Sequence, residues 1–349
     1  MRVTLESGMS RIGTTLNRFL AEEQAKYPET DGGLGLLLTQ MAYASKIIAR
    51  EVGRAALVGK LGLMGDRNAT GDSQKKLDVF ANDIVVDAFT SNGLLYAIVS
   101  EEMENLVELP GGENSQYVMC CDPIDGSSNT DINGSLGAIF GVWKRIPGAS
   151  VQENVLRKGS DQILAGYVMF STSTLLVFAT EKGVCGFTLD RELGEFLLSH
   201  EDIKCPARGH YYSANLGHSH EWGVGVRNYL QWVTADDKET HRPYSLRYTG
   251  ALVADVHRSL IEGGLYFYPP DPSHPEGKLR LLYEGAPLGY VVEQAGGRAS
   301  TGTERILDIQ ATKIHQRMPL VIGSMEDVEE YEHFSSGPKR QKPFSAGGQ

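Results

Sequence analysis

Apolar residues follow two different patterns along the chain, continuous runs and helical repeats. The runs at 94–100 and 117–121 are continuous, which is typical of strands buried on both faces of a sheet. Between residues 34 and 52 the apolar positions recur at helical spacing, which predicts an amphipathic helix. We expect the apolar face of this helix to pack in the core or against another subunit.

The same patterns predict the other regular elements. Further helices are expected at 1–30 with a break near Pro28, 79–90, 222–234, 251–262 and 281–294, with a last one after the capping-box spacing of Ser324 and Asp327. Strands are expected at 134–144, 163–170, 175–180, 184–189, 265–268 and 319–323. Residues 55–71 are glycine-rich and aperiodic, which predicts a long mobile loop, and 147–161 form a polar connection.

The pattern of the chain changes near 200–208, where we place a domain boundary. The division predicts a first domain over 1–204, a second over 205–334 and a disordered tail over 335–349. The length of 349 residues suits two domains of ordinary size. Hydrophobic residues make up 41% and charged residues 22%, values typical of globular proteins.

Charge and cysteine usage exclude several classes of protein. The net charge of −11 argues against general nucleic-acid binding, so an anionic substrate would need metal ions or clustered basic side chains. We see no secretory signal and no apolar stretch long enough to span a bilayer, so no membrane contact is expected. Cys120 and Cys121 are adjacent on a strand and point to opposite faces, which favours reduced thiols in a reducing compartment.

Two pairs of acids stand where buried apolar runs end. Asp122 and Asp125 follow the run at 117–121, and Glu101 and Glu102 follow the run at 94–100. If the two strands are neighbours, their ends place these acids at one edge of a sheet, where ligands collect in α/β folds. Carboxylates so close repel one another unless a cation lies between them, and Mg²⁺ prefers such oxygen ligands.

The residues after Asp125 suit an anion. The amides of Gly126, Ser127 and Ser128 come where a turn or helix would begin, which is a natural position for a phosphate. The same residue types are ordinary in surface turns, so this segment alone leaves both interpretations open.

Further acids extend the candidate site. Asp78 comes one short helix before the strand at 94–100, Glu284 follows Lys278 and Arg280, and Asp72 lies just past the end of the predicted loop. Asp72 and Asp78 could equally be a turn acid and a helix N-cap. Two divalent ions held by such a set could clamp both oxygens of an in-line displacement while a carboxylate takes a proton from water. The acids therefore predict hydrolysis of a phosphomonoester.

Several motifs resemble those of known phosphatases. The segment Asp122-Pro-Ile-Asp-Gly is similar to the signature of the lithium-sensitive, Mg²⁺-dependent phosphatase superfamily. A longer ordered set resembles class I fructose-1,6-bisphosphatase, at 71–78, 100–102, 122–129, 247–248, 254–258 and 277–284. The resemblance implies a layered α-β-α-β-α sandwich in which a regulatory, metal-binding subdomain and a sugar-phosphate-binding subdomain share a cleft. It also implies a homotetramer and Mg²⁺-dependent removal of the 1-phosphate, with Mn²⁺ or Zn²⁺ as substitutes.

The resemblance implies roles for single residues. The metal ligands would be Glu101, Glu102, Asp122, the Ile124 carbonyl, Asp125 and Glu284. Asp78 with Glu102 would activate the attacking water, and Asp72 would help to close the loop over the metals. The phosphates and sugar would bind Gly126, Ser127, Ser128, Asn215, Tyr248, Tyr268, Lys278 and Arg280, with Arg247 reaching in from a neighbouring subunit. For Tyr248 and Tyr268 the alternative is packing in the core. For Lys278 and Arg280 the alternative is a solvated, charged face.

The chain departs from the family pattern in two places. His218 stands where the family usually has a tyrosine, which leaves substrate preference open; His218 and His220 without a third ligand suit a polar loop better than a metal site. At the family's AMP site the chain keeps Tyr117 but has Asp31, Gly35, Gln116 and Lys144 at the other positions. Because an aspartate repels a phosphate, we expect weak or absent inhibition by AMP.

Alternative functions remain at this point. Sedoheptulose 1,7-bisphosphate differs from the fructose substrate by one carbon, so a sedoheptulose bisphosphatase or a dual enzyme stays open. An inositol-type monophosphatase would have no use for the second phosphate cluster. A catalytically silent regulatory protein on the same fold would be marked by the loss of an acid, and none is missing. The location is expected to be cytoplasmic, or the plastid stroma if a transit peptide has been removed, in gluconeogenesis or Calvin-type metabolism.

Overall fold

The computed structural model describes residues 11–27, 32–67 and 73–336. Its helices are α1 Leu16–Lys26, α2 Gly33–Val52, α3 Lys76–Phe89, α4 Val151–Val155, α5 Val224–Thr234, α6 Leu252–Glu262, α7 Ala286–Gln294 and α8 Met325–Ser335. A π-helical turn covers Leu281–Gly285, and 3₁₀ turns cover Ser127–Ile132, Gly159–Asp161, Leu216–Glu221 and Ile306–Asp308. None of the described helices combines the length and apolarity that crossing a membrane requires.

The strands form two main sheets and two small two-stranded sheets. The first ten are β1 Leu63–Arg67, β2 Ser73–Lys75, β3 Ala97–Ser100, β4 Val107–Glu108, β5 Tyr117–Asp125, β6 Leu136–Lys144, β7 Gln162–Phe170, β8 Thr174–Thr180, β9 Gly183–Asp190 and β10 Glu195–His200. The others are β11 Tyr211–Ser213, β12 Ser245–Leu246, β13 Leu265–Tyr268, β14 Leu279–Arg280, β15 Arg298–Ser300, β16 Arg317–Met318 and β17 Leu320–Gly323. The large sheet has the order β10-β9-β8-β7-β6-β5-β3-β4, and the smaller one has the order β12-β11-β13-β17-β15.

Five layers stack through three buried cores. Helices α1 to α3 cover one face of the large sheet through side chains such as Leu38 and Val85. Helices α6 and α7 lie between the two sheets and bury side chains such as Val256 and Val291. Helices α5 and α8 cover the outer face of the smaller sheet. This arrangement confirms the predicted α-β-α-β-α sandwich.

The two adjacent cysteines show how the large sheet divides the interior. Cys120 points into the core shared with α6 and α7, and Cys121 points into the core under α1 to α3. All four cysteines are free thiols, as the sequence predicts. The core between the sheets takes side chains from both sides of residue 204, such as Tyr167 and Tyr266, so the division into domains stays a prediction.

The predicted neighbourhood of the two acid-terminated strands is confirmed. Strands β3 and β5 pair in parallel, with Ser100 opposite Cys121. The amide of Glu101 extends this pairing by donating to the Cys121 carbonyl at 3.2 Å. Both strands therefore deliver their acids to the same edge of the sheet.

Four local predictions are wrong, and the first three concern the type of element. Residues 63–67 are not loop but pair with 73–75, because strand pairing overrides a weak local propensity. The segment predicted as one helix over 281–294 starts with a π-helical turn, which periodicity does not distinguish from an α-helix. The connection at 147–161 contains α4, opened by a capping box between Ser150 and Glu153 that has the expected S-x-x-E spacing.

The start of α8 also differs from the prediction. The helix does begin after Ser324, but that hydroxyl accepts a hydrogen bond from the Gly264 amide instead of capping the helix. The Asp327 carboxylate accepts from the Gly209 amide and the Tyr244 hydroxyl. These side chains bind α8 to β13 and to the chain before β11, so the capping-box interpretation is wrong.

A close approach between β6 and α6 brings the start of α6 to the acid edge. Gly137 pairs with Asp125 across the sheet. A methyl group at Gly137 would lie 2.4 Å from Val253 Cγ2 in the first turn of α6. No side chain fits there, and this contact keeps the α6 amides beside Asp125.

We expect Gly137→Ala to push α6 away from the sheet and to lower the free energy of unfolding by about 1–3 kcal/mol, as overpacking in a core usually does. Denaturant unfolding measures this change. The matched control is Gly35→Ala on α2, where the nearest atom to an added methyl is Leu20 Cβ at 3.8 Å. That variant should be unchanged or more stable by up to ~1 kcal/mol. Equal stability of the two variants would contradict the packing argument.

Candidate active site

Three buried carboxylates converge at the acid edge of the large sheet. Asp122, Asp125 and Glu284 each offer an oxygen, and these oxygens all lie within 4.8 Å of one another. Among the described residues they are the group that meets this spacing. The sequence predicts all three as metal ligands, and the fold brings them together from β5 and from the π-helical turn.

Asp122 has the least favourable electrostatic position. Burial, and then the charge of Glu101, raises the pKa of Asp122 well above its ordinary value. Asp125, Glu284 and Glu102 add to this effect in turn. The Ile124 amide donates to Asp122 Oδ1 at 3.0 Å, which orients the carboxylate after Pro123. Glu101 and Glu102 thus lie within electrostatic reach of the three-acid cluster.

Asp78 combines a capping role with an unused oxygen. It lies in the first turn of α3, where Oδ2 accepts the Lys75 amide at 2.9 Å. The other oxygen, Oδ1, is buried and has no hydrogen-bond partner. Burial, partly offset by the Lys75 hydrogen bond and reinforced by the Glu102 charge, raises the pKa of Asp78 to about 7. A carboxyl group with this pKa can exchange a proton at neutral pH.

Asp125 is held by the N-terminus of α6. Its two oxygens accept the amides of Leu252 at 3.1 Å and Val253 at 2.7 Å. These free amides at a helix start stabilise a negative charge. Burial is the larger effect, and the net result raises the pKa of Asp125 to about 6.

Glu284 is presented by the π-helical turn. Its carboxylate accepts the backbone amide of Arg280, which begins the turn. Burial, opposed by this hydrogen bond, raises the pKa of Glu284 to about 7. An added methyl at Gly285 would meet Met318 Cε at 2.1 Å, so the turn is packed closely in place.

The turn after β3 fixes Glu101 and Glu102. The Glu102 amide donates to the Ser100 hydroxyl at 3.3 Å, and the Met103 amide donates to the Ser100 carbonyl at 3.2 Å. Ser100 is fully buried. One small residue therefore shapes the turn that carries both glutamates.

The segment after Asp125 forms the turn that the sequence predicts for an anion. Gly126 has φ of +77°, a conformation that favours glycine, and an added methyl would lie 2.6 Å from Ala251 Cβ. A 3₁₀ turn follows from Ser127, so the amides at 126–128 stand at its start. The Asn129 side chain donates to the carbonyls of Ser135 and Thr249 at 3.2 and 3.1 Å.

Residues predicted for the sugar and the second phosphate lie around the start of α6 and the end of β13. Tyr248 is 39% exposed, and burial of its hydroxyl, followed by the nearby Tyr268, raises the pKa of Tyr248 to about 12. Asp125 is among the charges that act on Tyr248, so this group neighbours the acid cluster. Lys278 Nζ lies 5.6 Å from the centre of the Tyr268 ring. With 39% of the residue exposed, Tyr248 is only partly buried and is not a core residue.

The positions of the remaining predicted substrate residues do not decide whether these residues bind the substrate. Arg247 is exposed beside the Tyr211 ring, which leaves its side chain accessible to another subunit. Asn215 precedes a 3₁₀ turn in which His218 lies 3.3 Å from Glu221. Arg280 is 3% exposed, so it is not on a solvated face. Their binding roles stay predictions, and Asp72 lies outside the described residues.

The structure adds two supporting acids that sequence reasoning missed. Asp255 is buried and accepts the amides of Thr249 and Gly250, at 2.9 Å and 3.2 Å, directly after Tyr248. Asp131 accepts Lys75 Nζ at 2.8 Å and the Gly62 amide at 3.0 Å, which ties the base of the β1–β2 hairpin to the 3₁₀ turn after Gly126. Asp255 lies inside the 254–258 motif, and that position was the available signal.

The donor set fits a hard divalent cation. Every member of the cluster is a carboxylate, and the buried Oδ1 of Asp78 lacks a partner. Oxygen ligands of this kind suit Mg²⁺ or Mn²⁺, whereas Zn²⁺ sites usually include nitrogen or sulfur. Burial is the largest cause of the raised pKa values and neighbouring carboxylates add to it, so the charged acids are unfavourable without a cation.

Comparison with known proteins shows the family to which the chain belongs. A family model described as the N-terminal domain of fructose-1,6-bisphosphatase matches residues 14–201, and the model of the C-terminal domain matches 205–336. The chain belongs to the fructose-1,6-bisphosphatase family.

Members of the family resemble the chain over almost its whole length. A class 1 fructose-1,6-bisphosphatase of Acaryochloris marina is 53% identical, over 92% of this chain and 97% of that protein. A class 1 enzyme of Chlorobium chlorochromatii is 47% identical, over 93% and 98% respectively. The crystal structure of Leishmania major fructose-1,6-bisphosphatase in holo form superposes with a TM-score of 0.87 at 38% identity, covering 93% of this chain and 99% of that one.

The raised pKa values predict how the stability of the metal-free protein depends on pH. The folded-state pKa values of Asp78, Asp125 and Glu284 are about 7, 6 and 7, against ordinary values of 3.8 and 4.5. The folded state therefore holds more protons than the unfolded state between pH 4 and pH 7, so stability falls as pH rises through this window. We expect a lower Tm at pH 7.5 than at pH 5.5, and Mg²⁺ should restore more of it at pH 7.5.

The control for this prediction is Glu284→Gln, whose side chain keeps an oxygen for the Arg280 amide and stays neutral. Its Tm should fall less between pH 5.5 and pH 7.5 than that of the unchanged protein. An equal fall would mean that Glu284 does not contribute as described. Thermal unfolding in a chelator-treated buffer measures both proteins.

Proposed function

We propose that the protein hydrolyses the 1-phosphate of fructose 1,6-bisphosphate to give fructose 6-phosphate and phosphate, in a reaction that depends on Mg²⁺. The observation that carries the proposal is the convergence of Asp122, Asp125 and Glu284 beside the turn that starts at Gly126, whose amides we propose for the phosphate. Family membership over nearly the whole chain supports the fructose substrate.

The acids would hold the metal. The proposed ligands are Asp122, Asp125, Glu284, Glu101, Glu102 and the Ile124 carbonyl. When bound, divalent cations neutralise charge on the phosphoryl group and make water a better nucleophile at neutral pH. Mn²⁺ is the expected substitute, and the all-oxygen ligand set makes Zn²⁺ a poorer one.

The chain's own residues would position the reactants and move the proton. The amides of Gly126 and Ser127, with Ser128, bind the 1-phosphate and orient phosphorus towards the acids. Asp78, assisted by Glu102, accepts the proton of the water that attacks phosphorus. A bond forms from the water oxygen to phosphorus and the bond from phosphorus to the sugar C1 oxygen breaks; the C1 oxygen keeps the electron pair and takes a proton from solvent water to become the product hydroxyl. The raised pKa of Asp78 supports this role, because its carboxyl group exchanges protons near neutral pH.

The second phosphate of the substrate gives a role to the residues around the start of α6 and the end of β13. The 6-phosphate and the sugar are bound by Tyr248, Tyr268, Lys278 and Asn215. Arg280 also contributes to this binding site, and Arg247 of a neighbouring subunit completes it. The exposure of Tyr248 and the position of Lys278 over the Tyr268 ring support this assignment. A monophosphate would leave these groups unused. We therefore propose a homotetramer in which Arg247 acts between subunits.

Inhibition by AMP is proposed to be weak or absent. Tyr117 and Lys144 are direct partners across β5 and β6, and Gly35 lies in α2. Glycine at 35 and glutamine at 116 remove a hydroxyl and a positive charge from the positions at which the family binds AMP. The compartment is proposed to be the cytoplasm or the plastid stroma, in gluconeogenesis or Calvin-type carbon metabolism.

Phosphate release by the purified protein tests the proposal directly. Fructose 1,6-bisphosphate, sedoheptulose 1,7-bisphosphate and inositol 1-phosphate are compared with Mg²⁺, each with and without AMP. We expect fast release from the fructose substrate, none from inositol 1-phosphate, and little effect of micromolar AMP. A chelator is the control and should abolish release.

Other outcomes of the same assay each carry a clear meaning. Turnover of both bisphosphates would make the protein a dual enzyme. Inhibition by micromolar AMP would overturn the AMP prediction alone. Absence of release from all three substrates would overturn the proposed function and favour a regulatory protein on this fold.

A further inference from the structure

A chain of hydrogen bonds joins the two segments that carry the glutamates of the site. Tyr283 lies directly before Glu284 in the π-helical turn and is fully buried. Its hydroxyl is 2.8 Å from His315 Nδ1, and His315 Nε2 is 3.3 Å from the Glu104 carbonyl. Glu104 directly follows the turn that carries Glu101 and Glu102, which the Met103 amide closes by donating to the Ser100 carbonyl. We call Tyr283, His315 and the Glu104 carbonyl the tyrosine–histidine relay.

The chemistry of the relay fixes the direction of both hydrogen bonds. A carbonyl oxygen can only accept, so His315 Nε2 donates to Glu104. In a neutral imidazole the other nitrogen then accepts, and the Tyr283 hydroxyl is its donor. Burial, partly offset by the Glu104 hydrogen bond, lowers the pKa of His315, in keeping with a neutral ring.

The relay joins two segments that each carry an acid of the proposed site. Glu101 is the strongest charge acting on Asp122, and Glu284 acts on the same carboxylate. Glu101 and Glu284 lie on segments far apart in the chain, after β3 and before α7. Met103, between Glu102 and Glu104, is tied to β3 by its amide bond to the Ser100 carbonyl. The relay ties the same turn to the π-helical turn.

We infer that Tyr283 and His315 are positioning residues that hold Glu284 at a set distance from Glu101 and Glu102 before the metal binds. The inference rests on the proposed function, because it takes these glutamates as metal ligands. Residues that orient metal ligands typically affect metal affinity by about 10–100-fold when they are replaced. Without the relay, part of the metal's binding free energy is spent on drawing the two segments together.

The fold contains a matched pair that separates positioning from ordinary core packing. The Tyr167 hydroxyl lies 2.7 Å from His257 Nδ1, and Tyr167 is also fully buried in the core between the sheets. The ring centres are 5.9 Å apart in this pair and 5.8 Å apart in the relay. Tyr167 joins β7 to the middle of α6, and neither residue adjoins a proposed ligand. Loss of its hydroxyl therefore reproduces the chemical change without disturbing the spacing of the ligands.

The test compares Tyr283→Phe with Tyr167→Phe by calorimetric titration of Mn²⁺ into the metal-free, full-length protein without substrate. We expect Tyr283→Phe to bind Mn²⁺ about 10–100-fold more weakly and Tyr167→Phe to bind it like the unchanged protein. Thermal unfolding should show similar losses of stability in both variants. Equal Mn²⁺ affinity in the two variants would overturn the inference.

A second measurement separates the relay from independent effects of its members. His315→Ala removes both hydrogen bonds at their half-buried end and provides a variant if Tyr283→Phe does not fold. The double variant should bind Mn²⁺ no more weakly than His315→Ala alone, because both changes break one connection. Multiplied losses would contradict a shared role.

Failure of the inference and failure of the proposed function give different results. If the unchanged protein binds Mn²⁺ and releases phosphate while Tyr283→Phe does the same, only the relay is wrong. If the unchanged protein neither binds Mn²⁺ nor releases phosphate, the proposed function fails and the relay's role fails with it.

Discussion

The parallel pairing of β3 with β5 is the constraint on which the site depends. It brings Glu101 and Glu102 to the same sheet edge as Asp122 and Asp125, within electrostatic reach of the three-acid cluster. The surrounding layers then add Glu284 from the turn before α7 and Asp78 from α3. Four separate chain segments thus contribute to one acidic site, and packing holds them against their mutual repulsion.

This repulsion explains features that would otherwise be unrelated. The amides at the start of α6 stabilise Asp125, the Arg280 amide stabilises Glu284, and the Lys75 amide stabilises one oxygen of Asp78. Backbone amides are suited to this task because they reduce the repulsion without a positive side chain that would compete with a cation. The pKa values still remain high, so the hydrogen bonds reduce the electrostatic cost without removing it. Because the buried negative charges are unfavourable without a metal, the site favours binding a cation.

Much of this arrangement could be predicted from the sequence, because it follows from local patterns of apolar and acidic residues. The continuous apolar runs identified β3 and β5, and the acids that followed them marked the sheet edge. The resemblance to a known family supplied the five layers and the distant Glu284. The π-helical turn, the role of Ser324 and the tyrosine–histidine relay could not be predicted. They depend on contacts such as Gly264 with Ser324 and His315 with Glu104, which join residues far apart in the chain and leave no periodic signal.

The central claim is that the buried acids form a metal-dependent hydrolytic site, and Asp122→Asn tests it most directly. The amide has the shape of the carboxylate but lacks its charge, so the variant should fold and be at least as stable as the metal-free protein. Mn²⁺ affinity should fall by more than the roughly 10–100-fold typical of residues that only support a ligand, and phosphate release from fructose 1,6-bisphosphate should fall with it. A folded Asp122→Asn variant that binds Mn²⁺ and releases phosphate like the unchanged protein would contradict the account.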